Sequence, residues 1–276
     1  MGFDFQLMLY PLLACLLLPA ILVYLGLHIV RREIIFVDLA LAQVAALGTS
    51  VCIMLGHDAH DIHTYFWSLG FTFLGAFIFA ITRNHGTHRV PQEALIGIVY
   101  VVAAAAAILV LDRSTAGNEE LKKTLVGDVL TVTWPQVWKT FLLYVIIAIV
   151  HWIFRKQFFA ISFNPQGAKA AGMAIRRWDF LFYALFGLVV TSFVQIGGVL
   201  LVFSYLIVPA VCAALLASSL RLMLLIGWIV ATVGGIAGLF ASWHFNFPTG
   251  SAIVCVLGAA LVLVGLASRL VHRRNN

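Results

Sequence analysis

Apolar runs of about 20 residues, separated by short polar breaks, repeat from one end of the chain to the other. A helix needs about 20 mainly apolar residues to cross roughly 30 Å of hydrocarbon. A membrane β-strand needs only about ten, with alternating polarity, whereas VYVVAAAAAILVL and LLIGWIVATVGGIAGLF are continuous. The pattern predicts an all-α, polytopic membrane protein with spans near 7–28, 36–55, 62–82, 92–111, 137–154, 179–196, 199–217, 222–241 and 250–268, nine in all. The first span lacks a basic leader and exceeds the roughly 7 to 15 apolar residues of a secretion signal, so it reads as a retained helix. The whole of 1–276 reads as a single transmembrane domain.

Composition agrees, since 63% hydrophobic against 10% charged residues leaves too little charge to coat a soluble globule of 276 residues. The net charge of +6 is spread over loop ends rather than gathered on one face, which argues for topology and against nucleic-acid binding. Placing the N-terminus outside and the C-terminus inside puts 13 of the 17 Lys and Arg on the cytoplasmic side, as the positive-inside rule requires. The others, Arg113, Lys122, Lys123 and Lys139, lie outside near Asp112, Glu119, Glu120 and Asp128. The four cysteines fall within spans with no CxxC pair and read as small core residues. No GxxxxGK[ST] phosphate loop, HExxH or nucleophile-base set occurs, so the chain neither hydrolyses ATP by itself nor calls for a cofactor.

Polar residues inside the spans are the candidate chemistry. In the second span, helical steps align Asp38, Ala42, Ala45, Thr49 and Cys52, with Leu39, Gln43, Ala46 and Ser50 beside them. This small, partly polar face is expected to be buried, with Ile34, Val37, Leu41 and Val44 toward lipid. An ionised Asp at such depth costs about 2.5 to 3.5 kcal/mol unless paired or hydrated. Asp38 is therefore either a pathway carboxylate for a cation or a partner for Arg31 or Arg32. Gly197-Gly198 is expected to make a tight reversal between the sixth and seventh spans, and Pro209 to break the seventh.

Two stretches outside the spans are long enough to have a task. The outer one, 113–136, predicts a short surface helix capped by Asn118. The inner one, 155–179, predicts a helix starting at Asn164-Pro165, followed by Gln166, Gly167, Lys169 and Gly172, a small-residue knob suited to docking another protein. GHDAHDIH offers His57, His60 and His63 as loose outer metal ligands between Asp58 and Asp61, and the inner pair His85 and His88 is weaker still.

These segments together resemble one family, the ABC-3 permeases for zinc, manganese and iron. RREIIFVDLALAQVAALG is similar to its second-helix pattern, in which paired basic residues precede Gly-Asp-Ala-Leu-Ser-His. NEELKKTLVGDVLTVTW, FNPQGAKAAGMAIRRWD, VQIGGVLLVFSYLIVPAVCAALLA and FPTGSAIV resemble its outer segment, its coupling segment and its late helices, in the family's order. Counted from Arg31-Arg32, Asp38 falls on the family Asp and Ala42 on its His. Counted back from Gly48, Gln43 falls on that His, so the histidine is absent either way. The resemblance implies a homodimeric membrane subunit of a bacterial ABC importer for a divalent metal, in the cytoplasmic membrane. It also implies an ATP-binding subunit docking on Asn164 to Gly172 and an extracytoplasmic protein delivering the ion. Asp38 and Gln43 would then be oxygen ligands on the path. A siderophore-type permease and a proton-coupled carrier with Asp38 as its proton site are the rival readings.

Overall fold

The computed structural model describes residues 5–57, 61–83, 91–112, 127 and 129–275, and all the regular structure in them is helical. The helices are α1 (Phe5–Arg32), α2 (Val37–Met54), α3 (Ile62–Thr82), α4 (Gln92–Leu111), α5 (Trp134–Ile153), α6 (Arg155–Phe163), α7 (Pro165–Ala170), α8 (Ile175–Leu216), α9 (Leu220–Phe245) and α10 (Thr249–Asn275). A 3-10 turn, Val129–Thr131, precedes α5. All but α6 and α7 are long and apolar enough to span a bilayer. The spans predicted at 62–82 and 92–111 match α3 and α4 at both ends. The predicted surface helix after Asn118 lies outside the described residues.

That makes eight candidate spans among the described residues, where the sequence predicted nine. The difference is α8, whose 42 residues join the predicted sixth and seventh spans into one run. A straight helix of that length would measure about 63 Å, twice the hydrocarbon thickness. Its backbone breaks at Gly198 (φ 73°, ψ 166°), a conformation open essentially to glycine alone. Pro209, expected to break the seventh span, does not: it sits buried inside the helix, and the non-helical angles are at Gly198.

The chain forms two compact units, one from the described residues of 1–30, 125–144 and 196–276, the other from those of 31–124 and 145–195. In the first, glycines let helices approach backbone to backbone. Gly26 faces the Leu206 carbonyl, Gly227 faces Val23 and Pro209, Gly235 faces the Tyr205 ring, and Gly238 faces Ile253. Leu27, Ala210, Ala213 and Met223 close this packing. Gly127 (φ 62°) presses on the Gly197-Gly198 backbone so closely that no Cβ would fit. Of the cysteines, Cys15, Cys52 and Cys212 are buried and Cys255 is exposed.

In the second unit α2 packs against α3 and α4. Gly48 lies against the backbone of Trp67 and Ser68, Gly75 against Leu41 and Val44, and Gly187 of α8 against Thr72. The stripe expected to meet lipid is therefore buried: Ile34, Val37, Leu41 and Val44 are each under 8% exposed. A helix apolar on nearly every side belongs inside a bundle. Lipid-facing surface falls instead to helices such as α4, where Ile98, Val101, Val102 and Leu109 are exposed.

A buried ionic cluster ties this unit together. Arg32, the last residue of α1, donates to Asp179 at 2.9 Å and through Nε to Ser162 of α6 at 2.7 Å. Its guanidinium lies 3.9 Å from the centre of the Phe182 ring. Arg83, at the end of α3, donates to the same Asp179 oxygen. His151 stacks on Phe158 with ring centres 4.4 Å apart. Removing one partner of a buried ion pair costs about 3 to 5 kcal/mol because the other charge is left uncompensated. Here two arginines share one carboxylate, so Asp179→Ala is expected to lower thermal stability in detergent by at least that much, read by size-exclusion after heating. Gly127→Ala should also destabilise, through its clash and its left-handed φ, while Gly97→Ala on the open face of α4 should be neutral.

Candidate functional site

Helix α2 carries the candidate pathway residues, and its start is set by the ionic cluster just before it. Arg32 is anchored, Glu33 takes a left-handed φ of 56°, and the chain turns into α2 at Val37. Asp38 thus stands in the first turn, among N–H dipoles that favour a negative charge. It is 1% exposed. Neither carboxylate oxygen has a hydrogen-bonding side chain; the nearest donors are the N–H groups of Asp38 itself and of Leu39. The arginines that could have paired with it are engaged elsewhere, Arg32 with Asp179 and Arg31 over the Phe163 ring at 5.5 Å.

Gln43 is also buried, at 6% exposed. Five residues advance a helix by about 7.5 Å and turn it by about 140°. Asp38 and Gln43 therefore point from different sides of α2 and stand at successive depths.

A polar stripe that the sequence reading did not single out runs along α3. Thr64, Ser68 and Thr72, spaced by four, are all buried, while Phe66 and Trp67 between them and Phe73 and Leu74 just beyond are exposed. Thr72 Oγ1 donates to the Ser68 carbonyl and lies 2.9 Å from Thr191 Oγ1 of α8. Thr64 donates to Cys52 Sγ at 3.4 Å. The signal was present: hydroxyls at steps of four in an otherwise aromatic helix mark its protein-facing side. Thr191 and Ser192 of the sixth predicted span meet this stripe, Ser192 at 3.5 Å from the Tyr65 hydroxyl.

At the other end of α2, His57 and His63 come together with ring centres 5.3 Å apart, and His57 Nδ1 lies 3.8 Å from Asp61. Asp61 Oδ1 accepts from Ile62 N–H and so caps α3. His60 lies outside the described residues, as do His85 and His88. No group of three metal-ligating side chains forms among the described residues.

The segment predicted as a docking knob is built as a self-closed helical turn. Asn164 Oδ1 accepts from Gly167 N–H at 2.9 Å with Pro165 in the first turn, so α7 starts where predicted. A side chain at 167 would collide with that Asn164 cap. At the far end Gly172 (φ 71°) donates to the Lys169 carbonyl and Met173 to the Ala168 carbonyl, the paired bonds of a Schellman stop. Ala168 packs with Ile161 and Ile175, leaving Pro165, Gln166, Lys169 and Ala170 exposed. Helix α6, just before it, was expected only as loop; its amphipathic turn buries Phe158, Ile161 and Ser162.

The manganese transport system membrane protein MntC of Listeria innocua is 28% identical over 84% of this chain and 80% of its own. The manganese import system permease protein ScaB of Streptococcus gordonii is 27% identical over 95% of this chain and 90% of its own. Among solved structures, PsaBC from Streptococcus pneumoniae in complex with Fab matches at 25% identity with a TM-score of 0.78, covering 95% of this chain and 91% of that one. Residues 4–268 match the ABC 3 transport family, and with eight apolar helices among its described residues the chain belongs to that family, as a multi-pass protein of the bacterial cytoplasmic membrane.

Proposed function

We propose that this chain is the membrane-spanning subunit of a bacterial importer for a divalent metal ion, of the kind its MntC and ScaB relatives are named for. The observation that carries the reading is Asp38, a carboxylate sealed inside α2's surroundings with neither oxygen satisfied by a side chain. Protein interiors do not keep such a group without compensation. A passing divalent cation supplies it, and a site this sparse binds weakly enough to release. Gln43, about 7.5 Å further along the helix, is a second and weaker oxygen contact at another depth.

The chain acts as one permease domain in a homodimer, N-terminus outside and C-terminus inside, as its Lys and Arg bias favours. ATP binding and hydrolysis take place on a separate subunit that docks on α7 and its flanks, Asn164 to Gly172. An extracytoplasmic protein delivers the ion to the opposite side, where His57, His60 and His63 stand as accessory contacts. Alternating access follows if movement of α7 reaches the helices through its packing on Ile161 and Ile175 and through the Ser162–Arg32–Asp179 contacts.

In the complete complex reconstituted in liposomes, Asp38→Asn is expected to lower metal-stimulated ATP hydrolysis at least tenfold while leaving the subunits associated; unchanged metal stimulation would remove Asp38 from the path. Combining Gln166→Trp with Lys169→Glu changes only exposed positions of α7 and preserves its Asn164 cap. That variant should fold normally but no longer co-purify with the ATP-binding subunit, and retained co-purification would place the docking surface elsewhere.

A further inference from the structure

Asp38 does not stand alone at the start of α2. Glu93, in the first turn of α4, reaches the same helix start: its Oε1 accepts from Phe36 N–H at 3.0 Å, two residues before Asp38. Helix α2 has no capping side chain of its own, and this bond from α4 satisfies the N–H of its N-cap residue. The other Glu93 oxygen, Oε2, is shielded from solvent and has no hydrogen-bond partner, and the same holds for both oxygens of Asp38. Three shielded, unsatisfied carboxylate oxygens from two helices thus gather at one helix start.

Two shielded carboxylates at one helix start are relieved either by a proton on one of them or by a cation that both can reach. Such a cation is not a neighbouring arginine, since Arg32 and Arg83 are both spent on Asp179. Glu93 itself is half-buried and its partner Phe36 is 46% exposed, so the place is shielded on its inner side and open on its outer one.

We propose that Asp38 and Glu93 together form a cation station on the ion path, the Asp38 carboxylate and Glu93 Oε2 being its charged ligands, with Glu93 Oε1 remaining on Phe36 N–H. The proposal rests on the reading of Asp38 as a path residue and adds the ligand that sets preference. The donors are all oxygen, and α2 carries no imidazole anywhere along its length. Oxygen-only sets suit hard ions such as Mn2+, whereas Zn2+ favours nitrogen and sulfur donors. With the N-terminus outside, the station is the last one before release to the cytoplasm, and Glu93 is a specificity-determining residue.

Glu93→Gln tests this cleanly, because the amide oxygen can still accept from Phe36 N–H and only the charge is removed. Mn2+ binding to the purified permease–ATPase complex is read by electron paramagnetic resonance of the free ion, with Zn2+ as competitor. Glu93→Gln should weaken Mn2+ binding about tenfold, the scale of losing a supporting metal contact, and affect Zn2+ competition much less. The double variant with Asp38→Asn should bind no more weakly than the poorer single variant, since the two act as one unit. Wild-type Mn2+ binding in Glu93→Gln alongside its loss in Asp38→Asn would overturn this proposal, leave Glu93 as a helix cap and keep the path reading. Wild-type binding in both variants would overturn the two readings together. Losses that add independently, or fall equally on Mn2+ and Zn2+, would also overturn it.

Discussion

One carboxylate, Asp179, carries much of the order in the unit that holds the candidate path. It accepts from the arginines that end α1 and α3, and one of those arginines also holds α6 through Ser162. Four elements therefore terminate or begin at a single buried charge. In a low-dielectric setting such a cluster is strong when complete and costly when broken. Because α2 starts five residues after Arg32, the register of Asp38 in its helix is inherited from that anchor. The arginine over the Phe182 face adds a cation–π contact that hydration would otherwise weaken.

The two buried aspartates then read as a contrast. Asp179 is over-supplied with positive charge, while Asp38, a short distance along the chain from one of the same arginines, is left without a side-chain donor. Local sequence leaves ion pair and path equally open for Asp38, because both need an aspartate near Arg31-Arg32. The structure places Arg32 with a different aspartate 147 residues away. Long-range pairing of this kind has no signature in local spacing, and the same is true of Glu93, a lone acid in PQEALIG whose importance lies in which helix it caps.

What local pattern does encode was legible. Spans α3 and α4 follow hydropathy alone, and Asn164-Pro165 with Gly172 marks both ends of α7 by chemistry confined to a few residues. Errors arose where the environment, not the residue, decides. Helix α2 is apolar on one side and was assigned to lipid there, yet α3 and α4 cover it. Proline was expected to interrupt α8, but a helix tolerates it where neighbours pack tightly, and glycine at 198 made the break. Counting one span or two across that break depends on a single residue's torsion angles. The hydroxyl stripe of α3 was within reach of periodicity and went unread beside its aromatic neighbours.

The closure of α7 has an evolutionary corollary. Its cap, its stop and its one buried anchor, Ala168, all lie within ten residues, so its folding asks almost nothing of its exposed positions. Those positions can drift while the helices behind them stay unchanged. The exposed face of α7 is thereby decoupled from the packing beneath it, and its sequence can change without refolding the elements it rests on.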